Sequence, residues 1–413
     1  MTASQGRYCN GDPFLVNTSG VSFSSITPAS ADVSGRWTNG AMLNYGEGDG
    51  PSTQGLDGYV PAAGQYIAYD AVNNVDPGKT GSALRFSSGV EGSVLKAVAT
   101  TTPDPTQNAR DRIDFVGVMT VCAVSPPANS FRPGIAAPSK VSSWIESDMD
   151  LGLLRNLTLP SSAPSATNHL QSQRWPLMCW TTSNDPGRTN RGVKNHVDYG
   201  PDIARDTATA ILLMNCDIDS TVKRNLAVSV VQRGIDIYAR AIEGGDWSNG
   251  GGGTGNGRKL ALAFAAHMLD DAGMKAYCDK AVHPIWTEDD QLVYVSAGDV
   301  ATYDYEAGDL GMPEWQISTA SPSRSETTSY RQVNTNWISG SMLAMMLIGG
   351  KTVWANDAAF DYADRIMERT YFDGSGTSQW ALSLSGTNSP PQFHRDMWAN
   401  FRLAAGMPAI WNW

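Results

Sequence analysis

Three stretches of this chain combine residue types that can do chemistry. The first is Asn195-His196-Val197-Asp198-Tyr199, which ends just ahead of Pro201. Proline is tolerated in the first turn of a helix, so the segment reads as a helix entry. A histidine there faces the positive end of the peptide dipoles, which disfavours the imidazolium and keeps a neutral base available. Asn195 beside it can hold a carboxylate or an amide. The plainer alternative is helix entry alone, with Asp198 and Tyr199 merely packing.

The second stretch runs from Gly244 through Trp247 and Asn249 to Gly257, and closes on Arg258-Lys259. A phosphate-binding loop needs Gly-Lys-Ser/Thr, whereas this chain has Gly257-Arg258-Lys259-Leu260, and no strand pattern precedes it. Bare backbone, an indole and two cations at a helix start instead suit an anionic pocket. A flexible linker is the alternative. The third stretch holds Tyr303-Asp304-Tyr305-Glu306 and Gly311-Met312-Pro313-Glu314-Trp315. A tyrosine suits the delivery of a proton to a glycosidic oxygen. Glu314 beside Trp315 suggests instead a glycosidase carboxylate against a sugar platform. Arg331, Asn334, Asn336 and Trp337 open the next helix and read as substrate contacts, together with Trp247, Asn249, Lys259 and Trp315. The histidines at 169, 196, 267, 283 and 394 lack metal-ligand spacing, so neither a metal nor a cofactor is expected.

These stretches must be positioned by something. From about Ser142 the apolar period is helical. The pattern predicts helices over Val141–Leu157, Pro201–Asn215, Thr221–Ile242, Lys259–Asp270, Met274–Val282, Asn336–Ile348, Asp357–Tyr371 and Arg395–Ala405. Tight links between several of them imply antiparallel neighbours. The expected fold is mainly α, an (α/α) toroid over residues 141–413 with the chemistry on long inter-helix loops. Residues 1–140 are rich in Gly, Pro, Ser and Thr, with short apolar runs at Val21–Ile26, Tyr66–Val72, Val94–Ala99 and Phe115–Val124. They read as a β-rich or irregular region packed on the toroid.

Composition narrows the partners. The formal net charge of -11 and the lack of a basic stripe argue against nucleic acid. The longest apolar run, Met342 to Ile348, is too short to cross a bilayer, so no membrane partner is expected. The N-terminal residues do not read as a signal peptide. The Thr/Ser/Asn/Gly-rich surface style suggests an extracellular or periplasmic protein whose leader has been removed, with a cytoplasmic one as the alternative. The five cysteines, at 9, 122, 179, 216 and 278, show no CxxC spacing. They read as buried thiols, with one disulfide, Cys9 to Cys122, as the alternative.

Asn195-His196 ahead of one helix, followed by Arg258 at the head of a later one, resembles the (α/α)-toroid polysaccharide lyases, in particular alginate lyases and related uronate-cleaving enzymes. The resemblance covers about 80 residues of short motif. It implies that Asn195 and Arg258 neutralise a uronate carboxylate and that His196 removes the C5 proton. Where the family places its tyrosine, two helical turns after the arginine, this chain has Phe264-Ala265-Ala266-His267. The proton donor must then come from elsewhere, with Tyr303, Tyr305 and Tyr330 as candidates and His267 as another. Three functions follow from these residues: a secreted lyase that cleaves a polysaccharide by β-elimination, a glycoside hydrolase using Glu314 with Asp198, Asp202 or Asp246, and a glycan-binding protein without turnover.

Overall fold

The computed structural model describes residues 4–23, 27–29, 31–33, 36–38, 41–43, 59–60, 65–66, 84–86, 88–98, 115–174, 200–248, 255–303, 305–317, 329–368 and 389–405. Near the N-terminus lie β1 (Gln5–Arg7), β2 (Pro13–Val16), β3 (Val21–Phe23), β4 (Ala31–Val33), β5 (Arg36–Thr38), β6 (Ala41–Leu43), β7 (Tyr59–Val60), β8 (Gln65–Tyr66), β9 (Leu84–Phe86), β10 (Gly92–Val98) and β11 (Phe115–Cys122). The main sheet has the order β1-β2-β11-β10-β6. Its pairs are antiparallel except β2 with β11, where Thr120 faces Phe14. Strand alternation turns Leu95 and Val118 inward, and both belong to the same hydrophobic cluster as the helices that follow.

Those helices are α1 (Ala166–Gln173), α2 (Gly200–Met214), α3 (Ser220–Ile242), α4 (Lys259–Met268), α5 (Ala272–Cys278), α6 (Thr287–Gln291), α7 (Ala297–Thr302), α8 (Ser329–Thr335), α9 (Ile338–Leu347), α10 (Lys351–Trp354), α11 (Asp357–Glu368) and α12 (Gln392–Phe401). A two-stranded ribbon of β12 (Leu292–Tyr294) and β13 (Pro313–Trp315) sits among them, with Val293 facing Glu314. The described residues are thus mainly helical, with small sheets. Caps set several helix starts: Asp219 accepts the Val222 N–H at 2.9 Å, and Asp271 accepts the Met274 N–H at 2.8 Å.

Burial explains the layering. All ten residues of α9 are buried, and of α4 only His267 is not. A helix that is apolar all round must lie inside. Helix α2 packs on α9 and α3, α3 on α4, and α4 on α5. Small residues permit the closest approaches. A Cβ on Gly234 of α3 would overlap the Ala265 side chain and the Ala261 backbone of α4. A Cβ on Gly340 of α9 would overlap the His394 ring of α12. That histidine is fully buried, its Nε2 lies 2.8 Å from Thr209 Oγ1, and burial, with Arg205 and His169 nearby, pushes its pKa down to about 3. Because Thr209 Oγ1 gives its proton to the Arg205 carbonyl, Nε2–H donates and His394 stays neutral. Gly340→Ala should therefore cost about 1–3 kcal/mol by overpacking, read as a lower urea midpoint at unchanged slope.

The helical period was misleading at one place. Val141–Leu157 is not a helix but two short 3-10 turns, Glu146–Asp148 and Leu151–Leu153. Asp148 binds the Ile145 N–H and Asp150 binds the Gly152 N–H, so short polar side chains outcompete helical bonds. The backbone is also recruited elsewhere, with Asp150 N–H on the Met268 carbonyl and Glu146 N–H on the Asn129 carbonyl. The alternative disulfide is absent too: Cys9 and Cys122 are both free thiols, and Cys122 Sγ lies 3.1 Å from Tyr8 OH. Among the described residues no helix is long and apolar enough to cross a membrane.

Candidate functional site

The short helix α6, sequence Thr-Glu-Asp-Asp-Gln, is the platform of the site. Of its five side chains, Glu288 and Gln291 bond the turn that precedes α4, Asp289 bonds the first residue of α4 and Thr287 bonds Trp247. The Thr287 hydroxyl donates to the Trp247 carbonyl, and a Cβ on Gly255 would overlap that hydroxyl. Glu288 Oε1 accepts the Gly257 N–H at 2.7 Å. Asp289 takes the Lys259 ammonium on both oxygens at 2.6 Å and the Asn356 amide at 3.1 Å. Gln291 Oε1 accepts from Asn256 at 3.3 Å and from the Trp315 indole at 3.2 Å.

Gly257 explains why the turn needs a glycine. Its φ is +91°, and a Cβ would stand 2.7 Å from the Gly200 carbonyl oxygen and 2.8 Å from the Ala204 nitrogen. The start of α2 and the residue before Arg258 therefore touch backbone to backbone. Arg258 is buried, with Nη1 2.5 Å from the Asn256 carbonyl oxygen. Asn195, His196 and Asn249 lie outside the described residues, as do Asp198, Asp304 and the Tyr330 side chain. His196 precedes Gly200 by four residues, which span at most about 14 Å of chain.

A second polar cluster joins the first through Trp315. The Trp315 N–H donates to Glu314 Oε1 at 2.7 Å. Glu314 is fully buried and is met by the Arg331 guanidinium of α8 and by Arg365 Nη1 of α11 at 3.2 Å. Arg331 Nε also donates to Tyr362 OH at 3.2 Å. Burial pushes the Glu314 carboxyl up, but the two guanidiniums outweigh it and hold the group below the usual carboxylate range. Tyr305 is pushed the other way, upward, by burial and by the Glu314 charge. Tyr303 is half-buried and packs beside Tyr305, Met312 and Ile317.

Glu314 is an ionised partner of two arginines. Its folded pKa lies below its unfolded one, so its stabilisation is present above the ordinary glutamate range and fades as pH falls through the folded value. Glu314→Gln is expected to cost about 3–5 kcal/mol near neutral pH by uncovering two buried cations, and to flatten the acid side of the stability profile. Urea midpoints of both proteins across the acid range check this.

Three of the aromatic residues read as sugar contacts lie inside the protein. Trp247 is stacked on Trp286 with ring centres 5.0 Å apart. Trp337 is buried and donates its indole N–H to the Asn334 carbonyl at 2.7 Å. Trp315 is buried as well. Lys259 is fully buried between Asp289 and the Trp354 ring, 4.8 Å away, and Asn334 and Asn336 are buried too. His267 is tied to the Ile348 carbonyl at 2.8 Å. Asp202 pairs with Arg205, and Asp246 caps Ser248. Among the described residues no group of His, Cys, Asp and Glu is arranged to hold a metal ion.

The structure thus joins Arg258, Lys259, Trp247, Trp315, Glu314, Tyr305 and Arg331 into one continuous buried network. The sequence reading missed Glu288, Asp289, Gln291, Tyr362 and Arg365. The acidic run Glu288-Asp289-Asp290 was the visible signal for the first of these. Comparison of the chain with protein-family models, with curated proteins and with solved structures returned no match.

Proposed function

We propose that this chain is a polysaccharide lyase that cleaves a uronic-acid-containing polymer by β-elimination, on an irregular (α/α) toroid. The observation that carries the reading is the backbone contact between Gly257 and the start of α2. It sets Gly200, four residues after His196 in the chain, against Gly257, the residue before Arg258, across 57 positions of sequence. The toroid part of the reading is supported by the packing of successive helices on one another, α2 on α3, α3 on α4 and α4 on α5.

In this reading Arg258 and Asn195 meet the uronate carboxylate. Neutralising that charge makes the C5 proton more acidic and stabilises the enolate-like charge that develops on its removal. His196, neutral at a helix entry, takes the C5 proton. Electrons from the C5–H bond form the C4–C5 double bond, and the C4–O bond breaks. The leaving oxygen then takes a proton from a tyrosine. Tyr303, half-buried, is better placed to reach a ligand than Tyr305, which is buried against Glu314. No metal or cofactor enters this scheme.

The state of Glu314 favours elimination over hydrolysis. A carboxylate neutralised by two buried arginines has no proton to give a leaving group and no open side from which to attack. Product mass decides between the chemistries, because elimination yields a new non-reducing end lighter by one water than hydrolysis does. Unsaturated ends from alginate, glucuronan, ulvan or a glycosaminoglycan support the reading. Saturated ends alone would reject it. Tyr303→Phe should lower kcat by about 100-fold with little change in KM, checked by initial rates on the polymer that is cleaved.

A further inference from the structure

The turn that carries Arg258 has one support that differs in kind from the rest. In α6, Thr287 Oγ1, both carboxylate oxygens of Asp289 and Gln291 Oε1 are each engaged by a partner. Glu288 is fully buried and spends only Oε1, on the Gly257 N–H. Its Oε2 is buried with no hydrogen-bond partner among the described residues. A bare carboxylate oxygen in a dry interior is costly, and a neutral carboxylic acid in the same place costs far less. Of the nearby charges, Asp289 opposes its ionisation and Lys259, the smaller influence, favours it. On its own helix the neighbouring Asp289 is negative, and from α4 Lys259 faces it, already held by Asp289 on both oxygens. Burial raises the Glu288 carboxyl above the usual range, and Asp289 adds to this against the pull of the Glu288 and Gly257 N–H groups and of Lys259.

We infer that Glu288 is a positioning residue that holds the Gly255–Arg258 turn as a neutral acid, so that its ionisation loosens the turn and switches the site off as pH rises. Gly257 has no slack: its Cα packs on Gly200 and Ala204, so a shift there displaces Arg258 and the start of α2 together. The link to turnover rests on the lyase reading above, but the link between Glu288 and the turn does not.

The sign of the effect follows from linkage. A carboxyl whose folded pKa is raised binds its proton more tightly in the closed state, so closure is favoured at low pH and lost as pH rises through the folded value. Glu288→Gln keeps an oxygen for the Gly257 N–H and a hydrogen-bearing group where Oε2 stands, but cannot ionise. Glu288→Ala removes the acceptor altogether.

Amide hydrogen exchange of the intact protein, corrected for the intrinsic pH dependence, tests this without any substrate. In the wild type, protection of the Gly257 amide should fall at least tenfold from about pH 6 to about pH 9. In Glu288→Gln it should stay flat. In Glu288→Ala it should be low at every pH, while amides in the middle of α9 keep their protection. Flat protection in the wild type would overturn the proposal, as would a fall in Glu288→Gln equal to that of the wild type. If a polyuronate is cleaved, the alkaline decline of kcat/KM should move upward or vanish in Glu288→Gln. If no polymer is cleaved, the lyase reading fails while the exchange result still decides the role of Glu288.

Discussion

Arg258→Lys should lose about 1,000-fold or more in kcat/KM on the polymer that is cleaved, at nearly unchanged thermal stability. One pre-set cation facing a developing negative charge contributes about 3–4 kcal/mol in a site that excludes water. Lysine keeps the charge but not the planar fork that matches a carboxylate on two oxygens. Arg258→Lys also retains a donor towards the Asn256 carbonyl, so the turn is expected to survive. Arg258→Ala would confuse loss of the cation with loss of packing, because the side chain is buried. Initial rates together with a thermal melt separate these effects. A variant that melts like the wild type and still turns over within tenfold of it would remove Arg258 from the chemistry.

The largest stability effect is expected at the seam between the N-terminal residues and α3. Arg132 donates to Asp236 on two oxygens, at 2.8 and 2.6 Å, and through Nε to Asp12 at 2.7 Å. Asp236 also accepts the Ile135 N–H at 3.0 Å. Both members of the Arg132–Asp236 pair are buried. Removing one partner leaves the other charged and dry, which costs about 3–5 kcal/mol, whereas replacing the pair together by apolar residues of similar size can be nearly neutral. Asp236→Ala should therefore lower the urea midpoint sharply, and Arg132→Met combined with Asp236→Leu should recover most of the loss. Equal losses in the single and double variants would show that shape, not charge, holds this seam.

The long helices were legible in the sequence because each is long enough to show its period. Pro201–Asn215 and Thr221–Ile242 match Gly200–Met214 and Ser220–Ile242 closely. The short ones were not. Thr287–Gln291 has five residues and no apolar repeat, and its importance comes from what it touches 30 positions earlier. Val141–Leu157 had the period but also Asp148 and Asp150, whose side chains satisfy the backbone locally.

The site divides along the same line. Residue types marked Arg258 and the glycines before it as an anionic pocket at a helix start or a flexible linker, and they did not reveal the positive φ of Gly257 or its contact with Gly200. They could not show that Glu314 is answered by Arg331 and Arg365, because pairing across 17 and 51 positions is set by tertiary packing. A glutamate beside a tryptophan looks the same in sequence whether it faces a sugar or two guanidiniums. The tryptophans carry the same ambiguity, and the burial of Trp247, Trp315 and Trp337 comes from tertiary packing.

The central claim is that His196 and Arg258 act on one substrate. The most direct measurement follows ultraviolet absorbance and reducing ends together on a panel of polyuronates, for the wild type, His196→Ala and Arg258→Lys. Absorbance and reducing ends should rise in step in the wild type, and both should be lost in each variant. Reducing ends without absorbance, or undiminished cleavage by either variant, would contradict it.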